Sequence, residues 1–484
     1  MAEPRSGGGG IVAWTARHRP EILLATLVLV VSGPIVQVLM AHQSSRLAFT
    51  AAIWDQGTVR IDAYEDILGV DYAERDGRLY SDKAPGQPFL AAPFYGAARA
   101  LGAEPGEVQR PFNNYTLWWT SFWSAVVPLI VLSVLMRRLA LQVAGPRAAT
   151  AAAVAVTFGT LLLPFSTVLF SHVLAAALCF GAYLAGREPE APPARLASAG
   201  FLGGLAVVTE YTAGIVVVVL GIVVLLRHRT GILAYVAGGL PAAAMLAVYN
   251  TVAWGSPTLF SYDFSASFAD FHQQGLFGIR IPDPVLTVQV LAGERGLLTM
   301  TPIVLVGLIG LAQLALSSSS PLRAGEARLV RGREIGVVGL IVFAGFVAVQ
   351  GGWFSVTAGA SPGPRYVVAA LPFVAAGVAR VWRSSPVLVV GAGSIGAVGM
   401  LASIATNPLA QPTEDFAVGH WIWRLVNDRW GDTLLSPFMP DPWAHVVQLL
   451  VALGVLVALW RASGQAAPRQ VVHRRQSLDL ADHP

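Results

Sequence analysis

The feature that most constrains this chain is a series of long apolar runs, each close to the length that crosses a bilayer. A helix needs about 20 apolar residues to span the hydrocarbon. Twelve candidate spans fit, at roughly 21–42, 115–135, 147–165, 168–186, 197–212, 213–227, 231–253, 297–317, 335–353, 366–381, 386–405 and 443–460. The fifth and sixth are short. Hydrophobic residues make up 55% of the chain and charged residues 12%, against about 25% charged in a soluble domain. The expected fold class is therefore an all-α polytopic membrane protein of about 12 transmembrane helices. The first run is too long for a signal-peptide core and lacks a small-residue cleavage pattern, so it reads as a retained span.

Basic residues orient the spans. With the N-terminus in the cytoplasm, 20 of the 32 Lys and Arg residues fall in the short loops and termini of that side. The remaining 12 are spread over the much longer loops opposite. By the positive-inside rule both termini are expected in the cytoplasm. Large extracytoplasmic segments are then expected at 43–114, 254–296 and 406–442. Those segments hold most of the acidic residues and many aromatics. Segment 1–20 is expected to be a cytoplasmic N-terminal segment, 21–460 one transmembrane domain, and 461–484 a disordered cytoplasmic tail. "SSSSPLRAGEARLVRGRE" reads as a flexible linker. Cys179 is the only cysteine and lies in an apolar run, so no disulfide or thiolate cluster is expected. The arginine and alanine bias is that of a high-GC bacterium.

Chemistry is expected in the first long loop. "VRIDAYEDILG" carries Asp62, Glu65 and Asp66, whose spacing puts three carboxylates on one face of a helix. Mutual repulsion there would raise a pKa and suit a general base. The plainer alternative is a solvated acidic face. Next comes "GRLYSDKAPGQPFL", with Lys83, the only lysine in the chain. The following "QPFLAAPFYGAARALG" is amphipathic through Phe89, Leu90, Phe94 and Tyr95, and is expected to lie in the membrane interface. That sets Lys83 at the depth of lipid phosphates, as a phosphate contact or as a snorkelling anchor.

Ionisable residues within apolar runs are costly and usually face a cavity or a partner. His172 in "LFSHVLAAAL" and Glu210 in "VVTEYTAG" are of this kind. "GPRY" opens the tenth span and offers Arg365 as a second phosphate contact or an interfacial anchor. "YDFSASFADFHQQGLFG" suits stacking on sugars, and Arg295 beside Glu294 reads as an ion pair. No Walker loop, dinucleotide fingerprint or zinc motif is present in the sequence. No cofactor is implied. A divalent metal is compatible with such chemistry, but no ligand spacing indicates one.

In order along the chain, these motifs resemble the GT-C membrane glycosyltransferases. The resemblance is to the group holding protein O-mannosyltransferases and lipid A aminoarabinose transferases. "DGRLYSDKAPGQPFL" is similar to that group's "NG-x-x-Y-x-E-K-P-P-L", with Asp82 for the acid and Lys83 for the lysine. "IDAY" matches its acidic motif and sets Asp62 in the base position, with Asp55 of "IWDQG" as a rival. "LFSHVLAAAL" resembles the start of the fourth span, with His172 replacing the acid. "VVTEYTAG" resembles "LTKG", with Glu210 for the lysine, and "GPRYVVAALPFVA" resembles "PRY-x-x-P-x-x-P".

The resemblance implies transfer of a sugar from a polyprenyl-phosphate donor to a glycan, lipid or protein acceptor. The expected setting is the extracytoplasmic face of the plasma membrane, among membrane lipids and without nucleic acid. Asp62, His172, Asp55 and Asp66 are then the candidate catalytic residues. Lys83, Arg365 and Tyr80 would sit at the donor phosphate. Asp82, Glu210 and Tyr366 would line the cavity, and inversion at the anomeric carbon is expected. The alternatives are a lipid-linked sugar flippase, a non-catalytic scaffold of this fold, and a polysaccharide ligase.

Overall fold

A computed structural model describes residues 8–104, 115–317, 326–409 and 416–465. The tail beyond Gln465, the first half of the linker, and 105–114 and 410–415 of the long loops lie outside the described residues. The fold is all-α and polytopic. Its helices are α1 (Gly8–Ser32), α2 (Ala41–Ala51), α3 (Gly86–Ala100), α4 (Tyr115–Ala140), α5 (Pro146–Phe158), α6 (His172–Gly186), α7 (Pro193–Thr209) and α8 (Tyr211–His228). Then come α9 (Gly231–Trp254), α10 (Pro284–Ala292), α11 (Ile303–Leu316), α12 (Glu326–Gly351), α13 (Arg365–Trp382), α14 (Pro386–Ile404), α15 (Ala417–Val426) and α16 (Trp443–Gly464). Among the described residues, seven helices are long and apolar enough to cross a membrane, or eight counting one bent pair.

Several expected span boundaries are corrected, each for a local reason. The first helix ends at Ser32, not residue 42, because Gly33 and Pro34 cannot continue it. The chain then forms β1 (Ile35–Val36) and re-enters a separate helix, α2. The expected span 147–165 ends at Phe158, before Gly159. The expected span 297–317 is interrupted at Thr301–Pro302, where the axes bend by 99°. The expected span 366–381 begins as a 3-10 helix, Arg365–Phe373, holding Pro372. The linker is helical from Glu326 onward, as the start of α12.

Charge marks one end of the bundle. Arg138 Nε meets Glu21 at 3.1 Å, and Arg187 and Arg227 both meet Glu334, at 2.8 and 3.3 Å. The other end is built from the long loops. There β1 pairs with β4 (Asp432–Thr433), and β2 (Ala73–Arg75) forms a hairpin with β3 (Arg78–Tyr80). Asp76 and Gly77 turn that hairpin, both with positive φ.

Two close approaches set the geometry near the site. At Gly200 a Cβ would fall 1.8 Å from the Tyr235 carbonyl oxygen, so α7 and α9 pack backbone to backbone, as small residues permit. At Gly86 a Cβ would fall 2.7 Å from the Thr209 Cα and backbone nitrogen. The "KAPG" loop thus lies directly on the end of α7, beside Glu210. Gly86→Val is expected to lower the thermal midpoint in detergent, on the scale of about 1–3 kcal/mol seen for overpacking. An unchanged midpoint would show that the loop is free to lift away.

Candidate active site

The "YSDKAPG" loop is held down by hydroxyls. Ser45 Oγ lies 2.9 Å from Ser81 Oγ and donates to Asp82 Oδ1 at 3.3 Å. Ser261 Oγ donates to the Asp82 carbonyl at 2.9 Å. Asp82 is thereby 1% exposed and Lys83 9%. Lys83 Nζ lies 2.7 Å from Asp82 Oδ2 and 3.2 Å from Asp71 Oδ1, between two carboxylates. Burial pushes the Asp82 carboxyl above its ordinary value, against the pull of the adjacent ammonium.

Around this ion triad lies a cavity of about 370 Å³. Its ionisable lining includes three basic residues, Arg46, Lys83 and Arg365, and three acidic ones, Asp71, Asp82 and Glu210. Arg46 and His42 stand one turn apart on α2. Arg46 Nε donates to His42 Nε2 at 3.4 Å, and His42 Nδ1 lies 3.9 Å from Asp71 Oδ2. Burial, then the charges of Lys83 and Arg365, hold His42 well below its ordinary pKa, and its ring stacks on Phe170 at 3.9 Å. A second chain of contacts fixes the opposite wall. Arg46 donates to Ser171 Oγ at 3.0 Å, Ser171 donates to Glu210 at 2.8 Å, and His172 Nδ1 lies 3.2 Å from the same carboxylate. Arg365 approaches His42 Nδ1 and the Tyr366 hydroxyl, each at 3.5 Å. Arg46 Nη1 and Arg365 Nε are buried and have no protein partner among the described residues.

Aromatic residues close the remaining side. Tyr262 and His272 are 4.4 Å apart edge to face, and Trp353 packs on Tyr366 at 5.1 Å. All four line the cavity.

Lys83, Asp82, His172, Glu210, Arg365 and Tyr366 therefore meet in one cavity. The other candidates do not line it. Asp62 begins a 3-10 helix, Asp62–Ile67, and its Oδ1 accepts the Leu79 N–H at 3.1 Å, tying the loop to the hairpin. Asp66 and Glu65 are exposed on that turn. Asp55 accepts from Tyr64 at 3.0 Å, Tyr95 at 2.7 Å and Arg99 at 3.2 Å. Tyr80 is buried against Trp254, ring centroids 5.0 Å apart. Arg295 donates to the Ser361 carbonyl. Sequence reasoning missed Asp71, His42, Arg46 and Trp353. The four-residue spacing of His42 and Arg46 was the available signal; it lay at and beyond the supposed end of the first span.

No family model and no curated protein matches the sequence. Among solved structures the chain is similar to ArnT from Cupriavidus metallidurans bound to undecaprenyl phosphate. The TM-score is 0.50 and the identity 14%, over 93% of this chain and 75% of that one. It is also similar to the archaeal oligosaccharyltransferase AglB from Archaeoglobus fulgidus, in complex with an inhibitory peptide and a dolichol-phosphate. There the TM-score is 0.42 and the identity 13%, over 93% of this chain and 56% of that one. The fold is the GT-C fold. ArnT, a lipid A aminoarabinose transferase, falls in the group that the sequence motifs resemble, so motif order and architecture agree.

His272 gives the site a testable pH signature. Burial, then Lys83 and Arg365, lower its pKa to about 4, against about 6.5 in an unfolded chain. Between those values the unfolded state binds more protons, so stability falls as pH falls through that window. The thermal midpoint is expected to drop between pH 6.5 and 4, and less steeply in His272→Phe. Equal slopes for parent and variant would show that His272 is not held neutral.

Proposed function

We propose that this protein transfers a sugar from a polyprenyl-phosphate-linked donor to an acceptor hydroxyl at this cavity. The observation that carries the reading is a pair of guanidiniums, Arg46 and Arg365, each with a buried unpartnered nitrogen, lining one cavity with Lys83 and Asp71. Buried cationic donors without partners suit an anion such as a phosphate diester. Asp71, with its side chain 15% exposed and fixed by Lys83, is the carboxylate best situated to take a proton. It replaces Asp62 as our candidate base, because Asp71 lines the cavity and Asp62 does not.

Chemically, the acceptor oxygen attacks the anomeric carbon while Asp71 removes its proton. The bond between that carbon and the phosphate oxygen breaks. Negative charge grows on the leaving phosphate, where Arg365, Arg46 and Lys83 stabilise it; preorganised charge of this kind is often the largest catalytic contribution. Attack opposite the leaving group inverts the anomeric centre. His172 and Glu210 hold one another and, through Ser171, orient Arg46. Tyr262, His272 and Trp353 offer ring faces and polar edges to the sugar.

The arginine distribution supports cytoplasmic termini and a cavity open to the extracytoplasmic side of the plasma membrane. Single cysteines at Arg78 and Gln465, both exposed, are expected to react with an impermeant maleimide from opposite sides in intact cells. Labelling of both from one side would contradict this orientation.

The functional test is release of polyprenyl phosphate from a labelled polyprenyl-phosphate hexose, beside binding of undecaprenyl phosphate, in nanodiscs. Asp71→Asn is expected to bind the lipid and to lose about 100-fold or more in turnover, the scale of a lost general base. Lys83→Ala is expected to weaken lipid binding by about 1.5–3 kcal/mol, a charge-assisted contact. Lys83→Arg keeps charge but not the compact ammonium and should bind while turning over poorly. Asp62→Asn should turn over near the parent rate. Parent activity in Asp71→Asn, with loss in Asp62→Asn, would return the base to Asp62.

A further inference from the structure

A second cavity, of about 650 Å³, opens between α1, α5, α14 and α16 and shares no lining residue with the polar one. Its size is that of a ligand pocket, which runs roughly 300–1,000 Å³. Its walls are almost wholly hydrocarbon, from Leu27, Val154, Phe158, Ala397, Leu453 and Leu456. The Thr150 hydroxyl in the wall is already engaged, by Arg137 Nε at 3.0 Å and Ser463 Oγ at 2.8 Å. Apart from the Ser394 hydroxyl, such a wall offers a guest only dispersion.

The rim at the arginine-rich end is different. Trp382 and Trp460 meet edge to face at 5.7 Å, and the Arg147 guanidinium lies 5.8 Å over the Trp460 ring. Arg461 stands on the same rim. Both arginines are exposed. Arg138 and Arg187 at this end are paired with Glu21 and Glu334, but Arg147 and Arg461 have no carboxylate partner among the described residues. A hydrocarbon slot capped by interfacial tryptophans and two unpaired arginines calls for an apolar chain with an anionic head.

We propose that this groove holds one acyl chain of an anionic phospholipid, with its phosphate against Arg147 and Arg461. A basic pocket between membrane helices is the usual form of such a site. The donor lipid does not fit the same description, since its phosphate would have to reach the polar cavity at the other end of the bundle.

The test reconstitutes the full chain into vesicles of equal phosphatidylglycerol and phosphatidylcholine, extracts it in mild detergent, and weighs it by native mass spectrometry. One phosphatidylglycerol per chain is expected to be retained over phosphatidylcholine by about thirtyfold, the scale of two basic side chains at a membrane surface. The double variant R147Q/R461Q should lose that preference, and Ala397→Phe, which fills the slot, should lose the bound lipid. Should Ala397→Phe fail to fold, the arginine variant at its two exposed positions decides. Equal retention of both lipids by the parent, or an unchanged preference in R147Q/R461Q, would overturn the proposal. So would displacement of the retained lipid by undecaprenyl phosphate, or a dimer mass that Ala397→Phe abolishes.

Discussion

The ammonium of Lys83, held between the carboxylates of Asp82 and Asp71, is the contact on which the polar end of this molecule depends. A buried cation is tolerated only when paired, and removing one partner of a buried pair costs about 3–5 kcal/mol. Here the pairing also fixes backbone. Asp82 is gripped by Ser45 from α2 and by Ser261 from a later loop, while Asp71 lies in the coil two residues before β2. The ammonium and the Asp82 it pairs with therefore join the hairpin lead, α2 and a later loop. It also stands at the edge of the cavity, so the contact that shapes the loop presents the same charge to whatever enters.

The two ends of the bundle handle charge in opposite ways. At the arginine-rich end the buried cations are satisfied by carboxylates, as with Arg137 and Glu21 and with Arg187 and Glu334. At the cavity end, Arg46 and Arg365 each keep a buried nitrogen with no partner among the described residues. A protein stabilised only by its own contacts would gain by pairing them, because a buried unsatisfied donor costs about 1–3 kcal/mol. Retained donors of this kind belong where a ligand supplies the acceptor.

Much of this arrangement is legible in the sequence, for physical reasons. Lys83, His172, Glu210 and Arg365 were recognisable because an ionisable group in apolar surroundings has few tolerable places, and a shared cavity is one. The apolar runs likewise announce an all-α membrane fold. Asp62 misled because three carboxylates were spaced on an assumed α-helix. The turn is a 3-10 helix with a non-helical Tyr64, and Asp62 accepts the Leu79 N–H away from the cavity. Tyr80 misled because alternation along β3 turns it into the packing around Trp254. Asp71, only twelve residues before Lys83, carries no helical or motif signature, and only the fold of the hairpin brings it under the ammonium. His42 and Arg46 were hidden by running the first span past Gly33 and Pro34. Local chain-breaking chemistry would have stopped it there.

The most direct test is a structure of the full chain in nanodiscs with undecaprenyl phosphate bound. The phosphate is expected within hydrogen-bonding distance of Arg365 and Arg46, with Lys83 turned toward it and the Asp71 carboxylate left facing the cavity. A phosphate lodged elsewhere, with the Arg46 and Arg365 N–H groups still unpartnered, would contradict the assignment of this cavity as the site of sugar transfer.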